Sequence, residues 1–257
     1  MSGVVVIKFG GGLITDKEQL CTVDEEIVSS LASMLTKVDK KLIIVHGAGS
    51  FGHLKSKKYR LSEGRVSGIE QDTAIQEVRD DMMELNSHLM NAFSQNGIHA
   101  ESFPPHRWAS GLGIDFTGEL PYSSGLTVVF GDVVPDDNQE FGILSGDDLV
   151  VRYALETPEV EHLIFAVAGV DGLLKVPPHL AGPEDLFETW SSDIDFVGEH
   201  HDAIDVTGGI GLKAARGAIV AEKGIKVSII SGEHPERILA AIEGKSVIGT
   251  KIIPRKI

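Results

Sequence analysis

Residues 42–53 read Leu42-Ile43-Ile44-Val45-His46-Gly47-Ala48-Gly49-Ser50-Phe51-Gly52-His53. Four aliphatic residues in succession predict a strand buried on both faces, the pattern of a parallel sheet. The run then breaks into three glycines within six residues, with a histidine at either end. Glycine accepts positive φ and lets backbone approach a ligand closely, so successive N–H groups can converge on an anion. A helix starting just beyond adds the positive end of its dipole. The stretch therefore predicts an α/β sheet with a phosphate seated at the glycine loop.

Gly47, Gly49 and Gly52 also spell G-x-G-x-x-G, the dinucleotide fingerprint. That fingerprint needs an acidic residue at the end of the next strand, about 20 residues on. Here the chain enters a long helical pattern at Glu70 instead, and another strand and helix precede the motif. A dehydrogenase reading is therefore disfavoured.

Outward toward the N-terminus, Val4–Phe9 predicts another buried strand, closing on Lys8-Phe9-Gly10-Gly11-Gly12. Three glycines after a strand suggest a second backbone cradle for phosphate, flanked by Lys8 and Lys17. The P-loop pattern G-x-x-x-x-G-K-[ST] is absent. Thr22-Val23-Asp24-Glu25 reads as a capping box opening a helix to about Val38. Cys21 reads as a buried small hydrophobe or a loop residue.

Outward in the other direction, Glu70–Gln95 carries Ile75, Val78, Met82, Leu85, Leu89 and Phe93 at helical spacing. That stripe packs a core, or lends Met82, Met83, Met90 or Phe93 to an apolar pocket beside the phosphate loop. Strands are predicted at Ala100–Phe103, Leu126–Val134, Glu140–Leu144, His162–Val167, Lys226–Ile230 and Gly249–Ile253. Ser145-Gly146-Asp147-Asp148 opens a helix with Ser145 as its cap. Asp205-Val206-Thr207-Gly208-Gly209 leads into another helix, with Lys213 one turn in, and Pro235–Glu243 forms a third. Residues 175–204 are polar and irregular. Strands alternating with helices predict an α/β fold with a mostly parallel sheet covered on both faces.

The 257 residues, 42% hydrophobic, suffice for one α/β domain or two joined lobes. The single cysteine excludes an internal disulfide, and no apolar run is long enough for a signal peptide or a membrane span. The expectation is a soluble cytoplasmic protein. A formal charge of −15 argues against a nucleic-acid partner. It also means that an anionic substrate needs cations placed locally, from among Lys8, Lys17, the run Lys55, Lys57, Lys58 and Arg60, and Lys213.

Taken together, Lys8–Gly12, His46–His53, Ile143-Leu144-Ser145-Gly146-Asp147-Asp148, and Asp205–Gly209 with Lys213 resemble the amino-acid kinase superfamily, in order and over nearly the whole chain. The His-Gly-x-Gly-Ser-Phe-Gly-His form is similar to that of its isopentenyl phosphate kinases. The resemblance implies a three-layer αβα sandwich, a single domain over 1–257 with an acceptor lobe (1–150) and an ATP lobe (151–257), and a homodimer. It implies a small-molecule kinase that converts isopentenyl phosphate and ATP to isopentenyl diphosphate and ADP, with Mg²⁺.

Carried over by position, His53 hydrogen-bonds the acceptor phosphate above Ala48 and Gly49, and Ser145, Gly146 and Asp147 frame the acceptor. Lys8 and Lys17 neutralise the transferring phosphoryl group. Lys8, Gly10, Gly11, Gly12, Gly49, Asp171, Gly208, Gly209 and Lys213 serve the nucleotide. Asp132, Asp147 and Asp171 are candidates for Mg²⁺, as are ATP oxygens and water alone.

The chain departs from the family pattern at Ala48 (usually Gly), at Ile210 (often Met) and at Ala168-Gly169-Val170-Asp171-Gly172, which lacks the first acid of Thr-Asp-x-Asp-Gly. Other kinases of the superfamily, such as fosfomycin kinase, and a non-catalytic nucleotide-binding protein stand as alternatives.

Overall fold

Every residue of strand β1 (Val4–Phe9) is buried, because strand alternation sends Val5, Ile7 and Phe9 into one apolar core and Val4 and Val6 into another. A computed structural model describes residues 3–16, 18–194 and 209–255. After β1 come the single turn α1 (Gly11–Ile14), α2 (Glu25–Leu35), β2 (Lys41–His46), α3 (Gly49–Lys58), α4 (Asp72–Gln95) and β3 (Ala100–Ser102). The chain continues through β4 (Leu126–Phe130), β5 (Asp132–Asp136), β6 (Glu140–Leu144), α5 (Gly146–Glu156), β7 (Val160–Val167) and β8 (Thr189–Trp190). It closes with α6 (Gly209–Ala221), β9 (Lys226–Ser231), α7 (Pro235–Ile242) and β10 (Thr250–Ile252).

Eight strands form one sheet in the order β3-β4-β2-β1-β7-β9-β10-β8. All neighbours run parallel except β9 and β10. Leu13, Val28, Phe51, Val78 and Ile238 place α1 to α4 and α7 against one face, while Leu149 and Ala214 place α5 and α6 against the other. This is the three-layer arrangement that the strand and helix patterns predicted.

Two local expectations change. The predicted strand Leu126–Val134 breaks at Gly131, whose N–H donates to the His46 carbonyl (3.2 Å). Beyond it, β5 leaves the main sheet and pairs antiparallel with β6 as a separate two-stranded sheet. At α2, Asp24 rather than Thr22 is the cap: its carboxylate accepts the Ile27 N–H (3.0 Å), and the Thr22 hydroxyl donates to the Leu20 carbonyl. Cys21 is exposed in the preceding loop.

Two histidines sit in the core. His46 stacks on Phe130 and lies near Asn86 Oδ1 (3.4 Å), and His162 Nε2 meets Ser228 Oγ (2.9 Å). Burial pushes both down from 6.5 to about 4. Above pH 6.5 both are neutral folded or unfolded; between 6.5 and about 4 the unfolded chain binds the extra protons. Stability is thus expected to fall across that window, at up to about 1.4 kcal/mol per pH unit for each imidazole. Thermal unfolding at half-unit pH steps checks this, and a flat Tm between pH 6.5 and 4.5 would contradict it.

Candidate active site

In a parallel sheet the strands end on the same side, and here the ends of β1, β2 and β7 open onto a cavity of about 590 Å³. Gly10, Gly11 and Gly12 line it after β1, and Ala48, Gly49, Ser50 and His53 after β2. Lys8, Glu18, Gln19, Asp132, Ser145 and Gly146, Val167–Val170, Gly209, Ile210 and Lys213 also line it.

The two glycine loops touch. A Cβ added to Gly11 would lie 2.1 Å from the Gly49 nitrogen, and Gly49 itself has φ +51°. Only glycine satisfies both the approach and the positive φ. Thr15 pins the pair: its hydroxyl donates to the Gly11 carbonyl (2.9 Å) and accepts from the Ser50 N–H (3.0 Å).

Alternation along β1 places Lys8 on the α5 and α6 side of the sheet, where it is 4% exposed. Its Nζ donates to Asp147 Oδ1 (2.8 Å), and Lys213 Nζ donates to Oδ2 of the same carboxylate (3.1 Å). Gly146 makes room for this contact, since a Cβ there would sit 2.7 Å from Lys8 Cε. Burial alone would raise the Asp147 carboxyl, but Lys213 and Lys8 outweigh it and hold the group below the usual carboxylate range. Asp147 therefore stays ionised and fixes two ammonium groups beside the cavity. Asp148 goes the other way: burial raises it despite its pairing with Arg216 (2.7 Å).

Three helices point their first turns at this cavity: α3 from Gly49, α5 capped by Ser145, and α6 from Gly209. Converging N-terminal dipoles and two lysines place positive groups at the cavity of a chain whose charge is −15. The basic run contributes less, because Lys55 pairs with Asp81 (2.8 Å) and Arg60 with Glu63.

The other end of the cavity is apolar, walled by Val78 and Met82 of α4, Val133 of β5 and Ile143 of β6. Of the helix-α4 candidates Met82, Met83, Met90 and Phe93, it is Met82 that lines the cavity. This hairpin wall carried no site signal in the sequence, because its valines and isoleucine are indistinguishable from core.

The predicted residues thus separate. Lys8, Gly10, Gly11, Gly12, Ala48, Gly49, His53, Ser145, Gly146, Gly209 and Lys213 come together. Asp147 lies behind the wall and reaches the site through the two lysines. Asp171 is not in the wall; its carboxylate pairs with Arg237. Lys17 and Gly208, with Asp205, Val206 and Thr207, lie outside the described residues. In the departing segment, the Gly169 N–H donates to Glu233 Oε1 (3.1 Å).

No group of three His, Cys, Asp or Glu side chains suited to a metal occurs among the described residues. Of the three candidate aspartates, Asp132 lines the cavity while accepting from the N–H and Nδ1 of His106 (2.9 and 2.7 Å), Asp147 holds two lysines, and Asp171 holds Arg237. No helix of the described residues is long and apolar enough to cross a membrane.

Comparison with known proteins matches residues 3–231 to the amino acid kinase family. An isopentenyl phosphate kinase of Thermoplasma acidophilum is 30% identical over 254 residues, covering 97% of this chain and all of that protein. One from Methanothermobacter thermautotrophicus is also 30% identical, covering 97% of this chain and 98% of that protein. A solved isopentenyl phosphate kinase structure, 28% identical, superposes with a TM-score of 0.80 over 97% of this chain and 99% of the other. A substrate complex of isopentenyl phosphate kinase, 25% identical, does so with a TM-score of 0.76 over 97% of this chain and 99% of the other.

Proposed function

This chain belongs to the amino acid kinase family, and from that premise we propose that it transfers the γ-phosphoryl group of ATP to isopentenyl phosphate, giving isopentenyl diphosphate and ADP. An acceptor phosphate oxygen attacks the γ-phosphorus, and the bond from that phosphorus to the β–γ bridging oxygen breaks. The acceptor is already ionised near neutral pH, its second pKa being about 6, so no strong general base is needed. What the reaction needs is alignment and cancellation of repulsion between two anions.

The observation that carries this reading is the pair of lysines held by one buried carboxylate beside the His53 loop. In it, His53, Ala48 and Gly49 hold the acceptor phosphate, and Ser145 and Gly146 frame it. Lys8 and Lys17 meet the transferring group, while Gly10, Gly11, Gly12, Gly208, Gly209 and Lys213 serve the nucleotide phosphates. Asp171 is left out, because its carboxylate is bound to Arg237 away from the cavity. The apolar end formed by Val78, Met82, Val133 and Ile143 suits a short prenyl chain.

Residues 1–150 thus form the acceptor lobe, with Gly10–Gly12 reaching the nucleotide from it, and 151–257 form the nucleotide lobe. Mg²⁺ would be held by phosphate oxygens and water, as no group of three His, Cys, Asp or Glu side chains suited to it occurs among the described residues. A homodimer in the cytoplasm completes the reading.

Turnover of ATP with isopentenyl phosphate, dimethylallyl phosphate and fosfomycin tests it. ADP release is expected with isopentenyl phosphate and not with fosfomycin. No turnover on either prenyl phosphate overturns the assignment, and ATP binding by calorimetry without turnover on any acceptor points to a non-catalytic protein.

A further inference from the structure

The hairpin β5–β6 walls the apolar end of the cavity yet belongs to no larger sheet. A lone two-stranded hairpin is marginal in water, so its position is set by whatever ties it to neighbouring elements. On the side of α4 there are two ties: Arg65 joins Glu140 of β6 to Asp72 through exposed ion pairs (2.9 and 2.7 Å), and a part-buried tie reaches β5 at the cavity wall. Arg79 Nε and Nη2 both donate to the Val133 carbonyl, at 3.0 and 2.8 Å.

The Val133 N–H donates to Asp132 Oδ1 (2.8 Å). Asp132 Oδ2 in turn takes both the N–H and Nδ1 of His106. Val133 thus hangs between two anchors, and Arg79 is the one that reaches across to α4. The side chains on either side of Arg79 in α4, Val78 and Met82, share the cavity wall with Val133 and Ile143.

Resting on the proposed reaction, we infer that Arg79 is a positioning residue that sets the width of the acceptor's apolar subsite by strapping α4 to β5. It touches no reacting atom. It fixes the separation of the two elements whose side chains enclose the prenyl chain, and so determines which chain lengths fit. A guanidinium suits the task because its planar fork delivers two charged donors to one carbonyl, which a lysine ammonium does not reproduce.

Arg79→Met keeps the apolar stem and deletes both donors, and Arg79→Lys restores a charge without the fork. Kinetics with isopentenyl phosphate and with the ten-carbon geranyl phosphate, the KM for ATP, and hydrogen exchange of the β5 and β6 amides test the inference. In Arg79→Met, kcat/KM for isopentenyl phosphate is expected to fall about tenfold, mainly through KM, and the geranyl-to-isopentenyl ratio to rise about tenfold. The KM for ATP stays within about twofold, hairpin amides exchange faster, and Arg79→Lys falls between wild type and Arg79→Met.

An unchanged substrate ratio overturns the inference, as does a parallel rise in KM for ATP and acceptor, which marks general destabilisation. If the wild-type protein fails to turn over isopentenyl phosphate, the functional reading fails separately, and exchange alone judges the strap. Faster exchange confined to β5 and β6, with β1 and β2 unchanged, then supports it, and unchanged hairpin exchange overturns it.

Discussion

Replacing His53 by alanine is expected to lower kcat by about 10²–10³-fold, the usual contribution of one preorganised donor to a developing anion. His53 is half-buried at the start of the second turn of α3 and lines the cavity, outside the apolar core, so the variant should keep the wild-type Tm. In the proposed reaction His53 acts as donor rather than base, since a phosphate acceptor arrives ionised. His53→Gln, which retains an N–H donor and cannot act as a base, should therefore keep more activity than His53→Ala. Steady-state kinetics on both variants decides it. A kcat for His53→Ala within about threefold of wild type would remove the residue from the site, and equal losses in the two variants would favour proton transfer.

The glycine loop after β2 was legible in the sequence because its signal is local: a buried strand, three glycines and a helix start stand in one twelve-residue stretch. The same holds for β1 with Gly10–Gly12. What escaped sequence reading depends on contacts across the fold. Leu126 to Val134 is apolar on both alternating faces apart from Thr127, Gly131 and Asp132, so periodicity could not reveal that the chain leaves the sheet at Gly131. At α2, Thr22 and Asp24 are both chemically fit to cap, and tertiary placement of the loop decided for Asp24.

Asp147 is the sharpest case. In sequence it reads as an acid in the first turn of a helix, favourable there for the dipole alone. Its two lysine partners are 139 and 66 residues away, and only the packing of α5 and α6 over β1 brings them together. The Arg79 strap is hidden for the same reason: nothing in the sequence distinguishes an arginine that binds a carbonyl 54 residues on from one facing solvent.

Lys8→Met and Asp147→Asn are each expected to lower kcat by about 10³-fold or more, since the chemistry depends on cations fixed against a transferring phosphoryl group. Their effects on stability should differ from their effects on rate. Lys8 and Asp147 are both buried, and breaking a buried pair by removing one partner costs about 3–5 kcal/mol where the remaining charge is left uncompensated. Lys8→Met falls at or below the low end, because Lys213 still faces Asp147. Asp147→Asn falls nearer the high end, because it strands two ammonium groups around a neutral amide.

The double variant removes one charge of each sign. Its loss of stability should therefore be smaller than the sum of the two single losses, by about 1–3 kcal/mol of coupling. Denaturant unfolding of the four proteins measures that term. Turnover should not follow: the double variant lacks the Lys8 ammonium altogether, so restoring charge balance leaves the phosphoryl group without its partner. If kcat in the double variant returned toward wild type as stability recovered, Lys8 would serve only to neutralise Asp147, and the cation acting on the phosphoryl group would have to be sought elsewhere.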